Sequence, residues 1–184
     1  TGAGELNFVS NFGKLIALGE SEATTNNLIK FRRKYLEKLN ERSNHTAFIT
    51  DKMPQNFLYL GLITAALPEA KIIHVQRDAA AVCWANYKQY FATSDLGYCC
   101  SLNDIIKYYS LYKRLMKFWE IHIGEKIYEL DYELLTNNQE TESKRVIKQL
   151  GLNWEIGCLS PQNNKRSVRT ASNLQIREKV YKGS

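Results

Sequence analysis

The chain has 184 residues, of which 44% are hydrophobic and 24% charged. This is the balance of a soluble globular domain with a core of its own, and no apolar run approaches the roughly 18–20 residues of a membrane span. The formal charge of +6 suits an anionic partner such as a nucleotide, a phosphate or an acidic peptide, but lysines and arginines are scattered rather than striped, which argues against nucleic acid.

Thr1 to Leu18 reads as a loop entering a helix. GAGEL places glycines ahead of Glu5, and Leu6, Val9, Phe12, Leu15 and Ile16 recur at helical spacing until Gly19. Thr24 or Thr25 caps a second helix, with Leu28, Phe31, Tyr35 and Leu39 on one face and the basic run Lys30, Arg32, Arg33 and Lys34 largely on the solvated one. AFIT, ending at Thr50, is a short strand; Pro54 suits the first turn of a helix that runs to about Leu67. Lys71 to Gln76 (KIIHVQ) is a strand whose apolar character predicts burial on both faces. Asp78 caps the next helix, through Tyr90 or Phe91, and Ser94 to Cys100 is a loop. Leu102 to Ile121 is the clearest helix; Lys126 to Tyr132 is a third strand, and a helix from about Gln139 closes on Gly151. Beyond Asn153 the chain is polar and irregular, with a helix expected between Ala171 and Tyr181.

Three strands alternating with helices predict one α/β domain over residues 1–184, with right-handed crossovers. Ligands in such sheets bind beyond the carboxyl ends of the strands. Two of these ends carry charge, Asp51-Lys52 and Arg77-Asp78, so the stretch from Asp51 to Tyr87 is where chemistry is expected. Cys83, Cys99, Cys100 and Cys158 form no CxxC pair and no zinc-ligand spacing, which fits reduced thiols, no metal and a cytoplasmic, bacterial-like compartment. No signal peptide is visible. His45, His74 and His122 form no constellation, and His74, inside its strand, reads as a structural histidine.

The run DKMPxNxxxLGxIxxxxPxAKIIHxxRD, followed by YELL and RTASxxQxR, resembles the 3′-phosphoadenosine-5′-phosphosulfate (PAPS)-dependent sulfotransferase family. It is most similar to the branch of tyrosylprotein sulfotransferases and bacterial tetratricopeptide-linked sulfotransferases. The resemblance runs from about Gly2 to the end; its motifs are weak singly and fairly specific in order and spacing. It implies a P-loop-like, three-layer αβα fold with a parallel sheet, and transfer of a sulfuryl group to an acceptor hydroxyl on a peptide tyrosine, a carbohydrate or a small alcohol.

The resemblance also implies roles. Arg77 matches the arginine that binds the cofactor's 3′-phosphate, a task suited to a planar guanidinium fork; the structural alternative is pairing with a neighbouring carboxylate. The family's proline after RD and its serine eight residues after the arginine are replaced here by Ala79 and Ala85, which removes a phosphate hydrogen bond. Lys52 occupies the slot of a catalytic histidine in the small-molecule enzymes and of a lysine in the tyrosylprotein branch, where an ammonium can stabilise charge on the bridging oxygen. Glu5 resembles that branch's catalytic glutamate, a general base if burial raises its pKa; otherwise it is an acidic residue in a first helical turn. Tyr132 matches a tyrosine near the nucleotide, with a core aromatic as the alternative. Ser172 matches a serine near the cofactor, although Asn173 and Leu174 depart from the tyrosylprotein pattern.

The family's 5′-phosphosulfate loop, a strand–turn–helix reading roughly PRSGTT, is matched nowhere in the chain. It is expected ahead of GAGEL, so the sequence reads as a fragment lacking its first strand and that loop, inactive by itself and inclined to dimerise through an unpaired sheet edge. Two other functions fit: a non-catalytic domain binding an acidic ligand or a protein partner, and a P-loop kinase-like phosphotransferase, against which the absence of a GxxxxGK[ST] motif argues.

Overall fold

A computed structural model describes residues 1–43, 46–91 and 94–164. The chain divides into two compact units, residues 1–70 and residues 71–164 of the described chain.

In the first unit, β1 (Gly2–Gly4) pairs in parallel with β2 (Thr50–Asp51), with Gly2 opposite Thr50 and Gly4 opposite Asp51. The GAG segment is thus a strand, not the loop read from its sequence. Two glycines carry no apolar alternation, so nothing local marks the strand, and its backbone is held by a partner far along the chain. Helix α1 (Phe8–Ala17) and helix α2 (Thr25–Asn40) follow β1. The Thr24 hydroxyl accepts from the Asn27 N–H at 3.3 Å, the N-cap the sequence predicts. Beyond β2, Pro54–Tyr59 is a 3-10 turn, and the α-helix proper, α3, is confined to Leu60–Ala66. Leu6, Val9, Phe31, Tyr35, Leu60, Leu62 and Ile63 are buried and form this unit's core. Of the basic run, Lys30, Arg33 and Lys34 face solvent, whereas Arg32 pairs with Glu69 at 2.6 Å and donates to the Ala66 carbonyl at 3.0 Å.

In the second unit, β3 (Ile72–Gln76) and β4 (Ile127–Asp131) pair in parallel over five residues, from Ile72 opposite Ile127 to Gln76 opposite Asp131. Helix α4 (Ala79–Lys88) follows β3, and α5 (Leu102–Ile123) packs against α4 with Ile105 and Met116 buried. Ser94–Cys100, expected as a loop, is 3-10 helical. After β4 come α6 (Tyr132–Asn137) and α7 (Gln139–Gln149), the latter closed by Gly151 at φ +72°, a left-handed position that favours glycine. Two expectations are corrected here. Val75 is 53% exposed, so β3 is not buried on both faces. Tyr132 opens α6 rather than closing β4, because the Asp131 carboxylate accepts the Leu134 N–H at 2.7 Å and starts the helix there.

Among the described residues the four strands are short and parallel within each pair, a mixed helix–sheet α/β architecture. No helix among the described residues is long and apolar enough to cross a membrane. The four cysteines are free thiols.

Candidate functional site

In a parallel pair both strands run the same way, so the residues just past their ends emerge together. In the first unit these are Glu5 and Lys52. Gly4 ends β1 at φ +87°, a conformation that favours glycine and swings the chain out of the strand. The Lys52 N–H donates to the Gly4 carbonyl at 2.9 Å, fixing the exit of β2 against that of β1. From this frame the Lys52 ammonium donates to Glu5 Oε1 as an ion pair. The structure therefore joins two residues that the family resemblance singled out together, 47 positions apart. Their side chains are 63% and 37% exposed, so the pair is solvated, and such pairs add little to stability. The carboxylate and the ammonium stay reachable by a ligand; Glu5 is not enclosed in an apolar setting, so the burial expected of it as a general base is not found.

Asp51, which precedes Lys52, plays a part the sequence reading did not assign. Its Oδ2 accepts the Tyr35 O–H at 3.0 Å and lies 3.5 Å from Asn56 Nδ2. Its Oδ1 is buried with no hydrogen-bond partner among the described residues. Burial holds the Asp51 carboxyl above its ordinary range, partly offset by Tyr35, Asn56 and the backbone N–H of Leu6. The Tyr35 phenol is pushed up in turn, by burial first and then by the Asp51 charge. The available signal was the pairing of a buried-face tyrosine on α2 with a carboxylate at a strand end, which no local periodicity connects.

In the second unit the ends of β3 and β4 meet in the same manner. One residue past the Gln76–Asp131 register, the Arg77 guanidinium carbon lies 5.3 Å from the centroid of the Tyr132 ring. This is a cation–π contact, so Tyr132 is a face for the guanidinium rather than a core aromatic alone. Asp78 is engaged elsewhere. Its Oδ1 accepts the Ala81 N–H at 2.8 Å as the cap of α4, and its own N–H donates to Glu133 Oε1 at 3.2 Å. Ala85 is exposed on α4 and offers no hydroxyl.

His74 is satisfied within the second unit. One ring nitrogen, Nδ1, is 2.6 Å from Glu129 Oε2, and the other, Nε2, is 2.5 Å from the Tyr112 hydroxyl. Gln76 Nε2 donates to the same Glu129 oxygen at 2.6 Å. This agrees with the structural role expected for that histidine. Ser172 and the rest of RTASNLQIR lie outside the described residues. Among the described residues, no three or more His, Cys, Asp or Glu side chains gather as a metal site.

Comparison with known proteins adds two findings. An uncharacterized protein of Aquifex aeolicus (strain VF5) is 34% identical over 152 residues, which cover 82% of this chain and 20% of that protein. The chain thus spans about a fifth of the relative's length. The model of the "Sulfotransferase family" matches residues 14–156, a span that holds Lys52, Arg77 and Tyr132 but neither Glu5 nor Ser172. With most of its length matched, including the Asp51 to Tyr87 stretch, the chain belongs to the sulfotransferase family.

Proposed function

We propose that the protein transfers the sulfuryl group of PAPS to an acceptor hydroxyl, as a relative of the tyrosylprotein and tetratricopeptide-linked branch. The observation that carries this reading is the Glu5–Lys52 ion pair at the ends of two adjacent parallel strands. The acceptor oxygen attacks sulfur and forms the new O–S bond while its proton passes to the Glu5 carboxylate. The S–O bond to the 5′-phosphate breaks, its electron pair staying on the phosphate oxygen, and 3′-phosphoadenosine 5′-phosphate leaves. Lys52 stabilises the charge gathering on that oxygen, the task a preformed cation does best. Substrate must divide the ion pair, freeing the carboxylate for the acceptor and the ammonium for the leaving group.

Arg77 is proposed to bind the 3′-phosphate, with Tyr132 holding the guanidinium plane; Ser172 is proposed to assist at the cofactor. The acceptor belongs to the class of peptide tyrosines, carbohydrates or small alcohols, and self-association as a homodimer is part of the same proposal. Thermal shift with 3′-phosphoadenosine 5′-phosphate and with ATP tests the donor on the full-length gene product. We expect stabilisation by the former, lost in Arg77→Ala, and transfer of radiolabelled sulfate from PAPS. No stabilisation and no transfer would overturn the proposal. Ala85 favours a second reading, a domain that binds an acidic ligand or a protein partner without catalysis; stabilisation without transfer would establish it.

A further inference from the structure

We infer that Asp51 is a positioning residue for the Glu5–Lys52 pair. Its carboxylate sits where two further segments meet β2: Tyr35 of α2 donates to it at 3.0 Å, and Asn56 of the 3-10 turn lies at 3.5 Å. Asp51 is registered opposite Gly4 across the strand pair; Glu5 directly follows Gly4, and Lys52 directly follows Asp51. One residue is thereby paired with the strand position next to the carboxylate and is the neighbour of the ammonium. The two strand exits are otherwise joined by the Lys52 N–H to Gly4 carbonyl bond, and β2 has only two residues. So short a ladder fixes little by itself, and a rotation at either exit would part the ion pair.

A carboxylate is costly at this position. Oδ1 is buried with no partner among the described residues, and an apolar residue of similar volume would fill the space without that penalty. What it supplies instead is direction, because a hydrogen bond from a phenol defines its place far more narrowly than packing does. As a consequence for catalysis the inference rests on the proposed function; as a statement about the ion pair it stands on geometry alone.

The test therefore has two arms. The first follows the Lys52 side-chain ammonium by 15N–1H NMR, assigned with Lys52→Arg. Glu5→Gln should displace the Lys52 signal in the parent protein. In Asp51→Ala the signal should already lie near that displaced position and Glu5→Gln should no longer move it. Asp51→Asn, which keeps one oxygen to accept the Tyr35 O–H, should keep the response, and Tyr35→Phe should move the signal part of the way. The second arm measures transfer. Asp51→Ala should lower kcat by about 100-fold, the scale of a misplaced catalytic group, with KM for the donor unchanged and Asp51→Asn restoring most of the rate. A folded Asp51→Ala whose Lys52 signal still answers to Glu5→Gln as in the parent would overturn the inference. If Asp51→Ala does not fold, an unmoved Lys52 signal in Tyr35→Phe overturns it equally. Absence of transfer in the parent, with the NMR arm as expected, would sink the sulfotransferase reading and leave the positioning role standing.

Discussion

Gly13→Ala should destabilise the first unit, although alanine is the better helix former. Gly13 is buried in the middle of α1, which packs on α2 and α3. A Cβ built there would lie 2.2 Å from Leu62 Cδ2 and 3.0 Å from Phe31 Cε2. Leu62 is 8% exposed and Phe31 2% exposed, so the Leu62 methyl can yield only by turning within the packed core rather than into solvent. Exchanging glycine for alanine inside a helix favours folding by about 1 kcal/mol. Forcing a methyl into a packed core costs about 1–3 kcal/mol. With the nearest atom far inside contact distance the overpacking wins, and we expect a net loss of about 1 kcal/mol. For a chain of this size that lowers Tm by about 2–4 °C, readable by calorimetry or urea denaturation. Leu62→Ala should reverse the sign, because the space it opens accepts the new methyl: on that background Gly13→Ala should stabilise, with a coupling of about 2 kcal/mol. A neutral or stabilising Gly13→Ala with Leu62 in place would refute the packing reasoning.

Four more outcomes follow from the sites. Lys52→Ala should cut sulfuryl transfer by about 100–1000-fold, the scale of losing one preformed donor, with donor affinity little changed; near-parental kcat would remove Lys52 from the chemistry. Tyr132→Phe should bind 3′-phosphoadenosine 5′-phosphate as the parent does. Tyr132→Leu, by contrast, should weaken it about 2–5-fold, the worth of one cation–π contact of about 0.5–1 kcal/mol; calorimetric titration decides between them. Asp51 binds its proton more tightly in the folded state, because burial holds its carboxyl above the ordinary 3.8. Its contribution is full below that value and declines as pH rises through the raised one, so Asp51→Asn should gain on the parent with rising pH over that window in urea titrations. A constant difference would deny the burial effect. Asp78→Ala removes the cap of α4 and should cost about 1 kcal/mol, with faster amide exchange in that helix's first turn.

Most of what the sequence expressed was local. The Thr24 and Asp78 caps, the long α5, the stop at Gly151 and strands β3 and β4 are each announced within a turn or a strand length, because capping bonds, helical spacing and β-branched runs act between near neighbours. The order of DKMP, KIIHVQRD and YELL likewise carried the family, and with it the choice of Lys52, Arg77 and Tyr132. What needed the tertiary structure was contact across long separations. GAG becomes β1 only because Thr50 and Asp51 lie beside it. Val75 is exposed because burial is decided by what covers a strand, which apolar character alone does not specify. Tyr132 moves from strand to helix because the Asp131 cap bond outweighs the β tendency of the run before it. The Glu5–Lys52 ion pair and the Tyr35–Asp51 bond span 47 and 16 positions. Sequence chose the charged residues, while strand pairing decided which of them could meet, since a parallel ladder delivers residues to a common end regardless of their distance along the chain.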